Sequence, residues 1–285
     1  MTATCPYEIV DVFADRPYTG NPLAVVLDAE DLSTEQMQAM AREFNLSETT
    51  FVLPPGSGAD YRVRIFTPGA ELPFAGHPSV GTAVTLARLG RIPAGEVIQD
   101  CGGGLLPITV TGDRATLTGG SPSLGAEVDP SPLLATAGLT SEDLLGPPPR
   151  VAGVGLDHVF LAVSDDAVAS ARLDLAAART HDVAKVYVFS WDAERRHAHG
   201  RLFAPGLGIM EDPATGSAAL ALGVWLVAAG LLPDDGEAAY SIAQGAEMGR
   251  PSRLDCTVTA SGGKAERTTV AGQVVPVARG EIVVP

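Results

Sequence analysis

Three side chains of this 285-residue sequence could together move a proton on a small molecule: Glu48, His77 and Asp212. His77 and Asp212 each precede a proline in related strings, GHPSVGTA and EDPATGSA, and stand 135 positions apart. Proline is tolerated at the first position of a helix, where its missing N–H costs nothing. The spacing therefore predicts His77 and Asp212 as the N-caps of two helices. Aspartate is an ordinary cap and histidine a poor one, so a histidine at the repeat-equivalent position of an acid points toward chemistry. The open N–H groups and dipole of a helix start favour an anion, and two such starts could hold a substrate carboxylate without arginine. Gly76, Gly81 and Gly216 permit close backbone approach, while Thr82 and Ser217 add hydroxyl groups. Glu48 follows a predicted helix that Ser33 caps with Gln36 as a capping box. Met37, Met40, Ala41 and Phe44 give that helix an apolar stripe. It should end near Asn45, before NLSETTFVLPP turns into a strand, leaving Glu48 at a junction where side chains are often aimed into sites. Alone, such a glutamate is an ordinary solvated residue, and only the set of three suggests catalysis.

A carboxylate can take a proton from a carbon made acidic by conjugation and return it elsewhere. Glu48 suits that task if burial raises its pKa. His77, at a helix start that disfavours imidazolium, would be a neutral donor or relay. Asp212 would orient a substrate amino or hydroxyl group, or share a proton with the other two. Such chemistry involves no redox step and needs no cofactor. The CGGG string at residues 101–104 lacks the lysine and hydroxyl of a phosphate loop and reads as a tight turn. His197 and His199 in RRHAHG have no partners at metal-ligand spacing and read as exposed loop, so no metal site is expected. Ser217 lacks the GxSxG elbow of a hydrolase.

The elements that must carry these residues repeat. RIFTPG and RLFAPG precede the two helix starts, and the glycines opening GNPLAVV and GLDHVFLAV are again 135 apart. A duplication is inferred: residues 1–120 with a central helix at about 78–90, and residues 121–285 with a central helix at about 213–230. The proline-rich stretch 121–150 reads as linker, and the last strand is free to cross back to the first half. Alternating strands such as ADYRVRIF, LLPITVTG and AKVYVFSW surround the helices. A helix apolar on nearly every side needs cover all round, so each half should be a curved, mostly antiparallel sheet or barrel wrapped around its helix. The expected class is α+β, with two pseudo-twofold-related halves whose helix starts converge on one cleft.

With 46% apolar and 19% charged residues the chain falls in the globular range. Its net charge of −15 would repel nucleic acid and anionic membranes. The apolar run from Ala218 to Leu232 is shorter than the ~20 residues of a membrane span. Three cysteines without paired spacing and a start unlike a signal peptide fit reduced thiols and a cytoplasmic home.

The blocks DVFADRPYTGNPLAVV, MAREFNLSETTFVLPP, RIFTPGAELPFAGHP, EDPATGSA and QGAEMGRPSR together resemble the PhzF-like phenazine biosynthesis family, related in fold to diaminopimelate epimerase. The resemblance covers nearly the whole chain. It implies that Glu48, His77 and Asp212 are catalytic, and that Gly76, Gly216, Ser217 and Asn21 bind substrate. It also implies a cofactor-independent isomerase acting on a small carboxylate of the dihydrohydroxyanthranilate type, and a homodimer. Related epimerases use one thiol at each helix start, whereas the cysteines here lie elsewhere. A thiol-free amino-acid epimerase and a non-catalytic small-anion binder remain as alternatives.

Overall fold

β-branched and aromatic residues alternate with polar ones along much of this chain. In the computed structural model, which describes residues 3–285, those stretches are strands. The chain forms two units, one running to Thr118 and resuming at Ala271–Pro285, the other spanning Gly119–Val270. The last strand, Lys264–Val283, therefore begins in the second unit and ends in the first.

In the first unit, Thr4–Val12 pairs antiparallel with Asn21–Val26, which runs parallel to Glu48–Leu53. Glu48–Leu53 pairs antiparallel with Tyr61–Phe66, which runs parallel to Gly95–Cys101. A meander follows through Gly104–Thr111 to Arg114–Thr118. Arg114–Thr118 pairs with the last strand, which returns to Thr4–Val12 and closes eight strands into a barrel. Parallel neighbours need a crossover, and helices α1 (Thr34–Phe44) and α2 (Gly76–Arg88) supply the two. Every residue of α2 from Gly76 to Leu86 is buried. Gly81 is required by this packing, since a Cβ there would lie 2.6 Å from Leu23 Cδ2 and 2.7 Å from Val12 Cγ2.

The second unit repeats the succession. Arg150–Val154 and Asp157–Ala162 are antiparallel, the latter is parallel to Val186–Asp192, and that strand is antiparallel to His197–Ala204. His197–Ala204 is parallel to Gly236–Gln244, which is antiparallel to Ser252–Ser261. Helices α3 (Pro130–Ala137) and α4 (Asp165–Ser170) pack on this sheet's flank, α5 (Leu175–Thr180) packs on α3, and α6 (Gly216–Ala228) is buried through Val227. The architecture is α+β, as the sequence patterns imply: mostly antiparallel strands wrapped around one long apolar helix in each unit.

Two local expectations change. The proline-rich stretch is not open linker. Pro122–Glu127 joins Arg150–Val154 as a strand, and Leu133, Leu134 and Ala137 of α3 pack against Leu161, Val186 and Phe203. Prolines are accommodated here at the start of the strand and of the helix, where no N–H is needed. Nor are His197 and His199 exposed loop. They alternate with buried Ala198 and Gly200 along His197–Ala204. His197 Nδ1 lies 2.9 Å from Ser241 Oγ, and His199 lies between Asp165 (3.0 Å) and Glu247 (2.8 Å).

Candidate active site

Each unit assembles its own cluster of buried polar side chains at the start of its central helix. In the first unit the capping box of α1 forms as read from sequence, and Asn45 ends the helix with a left-handed backbone, φ 51°. Glu48 then opens its strand opposite Leu23, two residues beyond Asn21 on the parallel neighbour. His77 is the second residue of α2. Glu48 is 8% exposed and His77 4%. Glu48 Oε2 lies 3.4 Å from His77 Nε2, and Asn21 Nδ2 lies 3.3 Å from His77 Nδ1.

With Asn21 Nδ2 as the atom facing the ring, one tautomer follows. An amide NH2 can only donate, so His77 Nδ1 accepts from Asn21 and the ring proton sits on Nε2, toward the Glu48 carboxylate. Burial pushes the His77 pKa down from 6.5 to about 3, and the helix start opposes imidazolium as well. His77 and Glu48 are therefore a neutral donor facing a carboxylate, and at neutral pH they are not an ion pair.

In the second unit Asp212 ends the strand Ile209–Asp212, with Leu202 as its partner. Thr215 Oγ1 donates to Asp212 Oδ2 at 2.5 Å, and Gln244 Nε2 donates to the Asp212 carbonyl at 2.8 Å. Ser217, second in α6, lies 3.0 Å from His158 Nε2. The structure thus brings together Asn21, Glu48 and His77 in one unit, with Gly76 as the first residue of their helix. In the other it groups Asp212, Gly216 and Ser217 around Thr215, Gln244 and His158.

Neither His77 nor Asp212 is a cap. The N-caps are Ala75 and Thr215, and the helices begin at Gly76 and Gly216. Pro78 falls at the third helical position, where the N–H is still without an intrahelical partner. Asp212 precedes Pro213 and is held extended, as residues before proline are.

The repeat register changes accordingly. ELPFAGH at residues 71–77 matches EDPATGS at residues 211–217, an offset of 140. Leu72 pairs with Ile65 of RIF just as Asp212 pairs with Leu202 of RLF. Further along the helices, Gln99 donates to Ser79 Oγ and Tyr240 donates to the Ala219 carbonyl, again 140 apart on the helix. The structural counterpart of His77 is Ser217, and that of Asp212 is Leu72.

His158, Thr215, Tyr187 and Gln244 lie within the strings GLDHVFLAV, EDPATGSA, AKVYVFSW and QGAEMGRPSR, but nothing in those strings singles them out. Their only trace in the sequence is a polar residue, or a tyrosine, at an inward position of a strand or helix start. Among the described residues, no three His, Cys, Asp or Glu side chains group to hold a metal ion, and no helix is long and apolar enough to cross a membrane.

His77 and His158 carry a measurable consequence. Burial lowers both pKa values from 6.5 to about 3. The unfolded chain takes up these protons near pH 6.5 and the folded chain does not. Their contribution is thus fully present above about pH 6.5 and is lost as pH falls toward 3. The slope approaches about 1.4 kcal/mol per pH unit for each histidine. Urea unfolding between about pH 7 and about pH 5 should show falling stability that His77→Gln with His158→Gln flattens. An unchanged slope in the double variant would mean that these imidazoles titrate normally.

Comparison with known proteins agrees with this architecture. The family described as "Phenazine biosynthesis-like protein" matches residues 10–280. An uncharacterized isomerase of Mesorhizobium japonicum is 39% identical, over 97% of this chain and 98% of its own. The trans-2,3-dihydro-3-hydroxyanthranilate isomerase of Pseudomonas aeruginosa is 37% identical, over 96% of this chain and 98% of its own. The crystal structure of a PhzF-family phenazine biosynthesis protein from Bacillus anthracis superposes with a TM-score of 0.88 at 28% identity, covering 99% of this chain and 100% of that one. Matched across both units and alongside relatives named as isomerases, the chain belongs to the phenazine biosynthesis-like protein family and is an isomerase.

Proposed function

We propose that this isomerase moves a proton within a small, conjugated, carboxylate-bearing substrate of the dihydrohydroxyanthranilate type, without a cofactor. The observation that carries the reading is the buried Glu48 carboxyl group 3.4 Å from Nε2 of a buried, neutral His77 whose other ring nitrogen lies against Asn21. Glu48 removes a proton from an acidified C–H, the electron pair delocalises through the conjugated system, and the proton is delivered to its far end. Substrate and product have the same composition, so no oxidant or reductant enters. His77 steadies the carboxylate and relays or donates a proton. Asp212 receives a substrate N–H or O–H. Gly76 at the start of α2, and Gly216 and Ser217 at the start of α6, each offer a substrate anion helix-start N–H groups left open by caps that make no side-chain hydrogen bond.

The named substrate of the Pseudomonas relative is the first compound to test. Incubation with trans-2,3-dihydro-3-hydroxyanthranilate should change its ultraviolet absorbance, and reaction in deuterated water should label a substrate carbon unless the shuttled proton is shielded from exchange. An unchanged spectrum at high enzyme concentration would remove this substrate class. A second reading, epimerisation of an amino acid, is favoured by His77 and Ser217 occupying the same position at the two helix starts. It would show as loss of optical rotation. Thiols have no part in either reading, because Cys5, Cys101 and Cys256 are buried in strands.

A further inference from the structure

We propose that Thr215 and Gln244 are positioning residues that fix the plane of the Asp212 carboxylate. The inference rests on the reading of Asp212 as a substrate-orienting group. Threonine at an N-cap ordinarily accepts from the N–H two or three residues on, yet Thr215 makes no such bond. Its hydroxyl instead donates to Asp212 Oδ2 at 2.5 Å, the short distance of a bond to a charged acceptor.

Gln244 enforces that direction. Its Nε2 donates to Thr215 Oγ1 at 3.0 Å and to the Asp212 carbonyl at 2.8 Å. Its Oε1 accepts from Tyr187 at 3.0 Å and from the Thr215 N–H at 3.4 Å. A flipped amide would set its NH2 against the Thr215 N–H and its oxygen against the Asp212 carbonyl, so only one orientation satisfies all four contacts. With its lone pair engaged by Gln244, the Thr215 hydroxyl must point its proton at Asp212.

Tyr187 starts the chain as a permanent donor, because burial, chiefly, holds its phenol well above the normal pKa. Gln244 and Tyr187 are both buried. The four side chains form one oriented line, phenol to amide to hydroxyl to carboxylate, in which every hydrogen-bonding direction is set. Pre-orientation of this kind matters because a misplacement of about 1 Å can cost about a hundredfold in rate.

The test compares wild type with Thr215→Val, Thr215→Ser and Gln244→Leu. In each, kcat and KM are measured with trans-2,3-dihydro-3-hydroxyanthranilate, and the side-chain hydroxyl proton at this N-cap position is sought by NMR. Wild type should show a downfield hydroxyl resonance protected from exchange, and Thr215→Ser should keep both the resonance and a kcat within about threefold. Thr215→Val and Gln244→Leu should lower kcat by about tenfold or more with KM little changed, and both should lose the protected resonance. Wild-type kcat in folded Thr215→Val, or no protected hydroxyl in wild type, overturns the proposal. Should Thr215→Val fail to fold, the wild-type and Thr215→Ser spectra still decide. A wild type that shows the resonance but turns over no substrate would refute the assigned reaction and leave the oriented carboxylate standing.

Discussion

In the Glu48→Gln variant, turnover should fall by about a thousandfold, within the range that general acid–base groups contribute, while affinity for a substrate analogue changes little. Glutamine has nearly the shape of glutamate, so the strand start and its pairing opposite Leu23 are retained. What is lost is the ability to accept a proton from carbon. His77 Nε2 lies 3.4 Å from Glu48 Oε2, and an amide oxygen can stand at that point as well, so the substitution removes the ionisable acceptor while leaving an oxygen beside the ring. Three measurements separate the cases: kcat, the dissociation constant of a non-reacting carboxylate analogue, and the thermal midpoint. Wild-type kcat would remove Glu48 from the mechanism. A collapse of all three would mean that the side chain serves the fold.

The position of Glu48 at a helix-to-strand junction was legible because local rules placed it. The capping box at Ser33, the apolar stripe and the stop at Asn45 are short-range signals, and each formed as read. The sheets around the helices were legible through the alternation of their strands, and the central helices through being apolar all round. The helix register was not, because the first half contains two Pro-x-x-Gly strings, Pro73–Gly76 and Pro78–Gly81. Helix-start preferences favour the second string as the counterpart of Pro213–Gly216. The ladder decides for the first, since Leu72 against Ile65 and Asp212 against Leu202 fix where each strand must end. Strand pairing is non-local and leaves no mark near the helix. Gln244 and Tyr187 were hidden for a related reason: each is a single buried side chain on a strand, with a partner 57 positions away. His158 reaches Ser217 across 59 positions in the same way.

The corrected register also yields a matched pair with opposite expected costs. Arg64 and Arg201, of RIF and RLF, each stack over the phenylalanine two residues on, at 5.1 and 5.0 Å. Each also forms a forked ion pair with the equivalent glutamate. Arg64 Nε and Nη2 donate to Glu71 at 2.8 and 2.6 Å, and Arg201 Nε and Nη2 donate to Glu211 at 2.8 and 2.9 Å. The surroundings differ. The Arg64 and Glu71 side chains are 23% and 40% exposed, whereas those of Arg201 and Glu211 are 4% and 16%. Arg201 Nη1 also donates to the buried carbonyls of Val168 and Ala171. Arg64→Met should cost about 1 kcal/mol or less, because solvent screens the pair and can rehydrate Glu71. Arg201→Met should cost about 3–5 kcal/mol, because it strands a nearly buried carboxylate and two carbonyls. Methionine preserves much of the aliphatic stem over the ring, so the difference reports the charge and its hydrogen bonds more than packing. Chemical denaturation of the two variants at neutral pH gives the comparison directly. Equal losses would mean that the second fork is as well solvated as the first, and that burial of Arg201 contributes nothing to holding Glu211, the residue next to Asp212, in place.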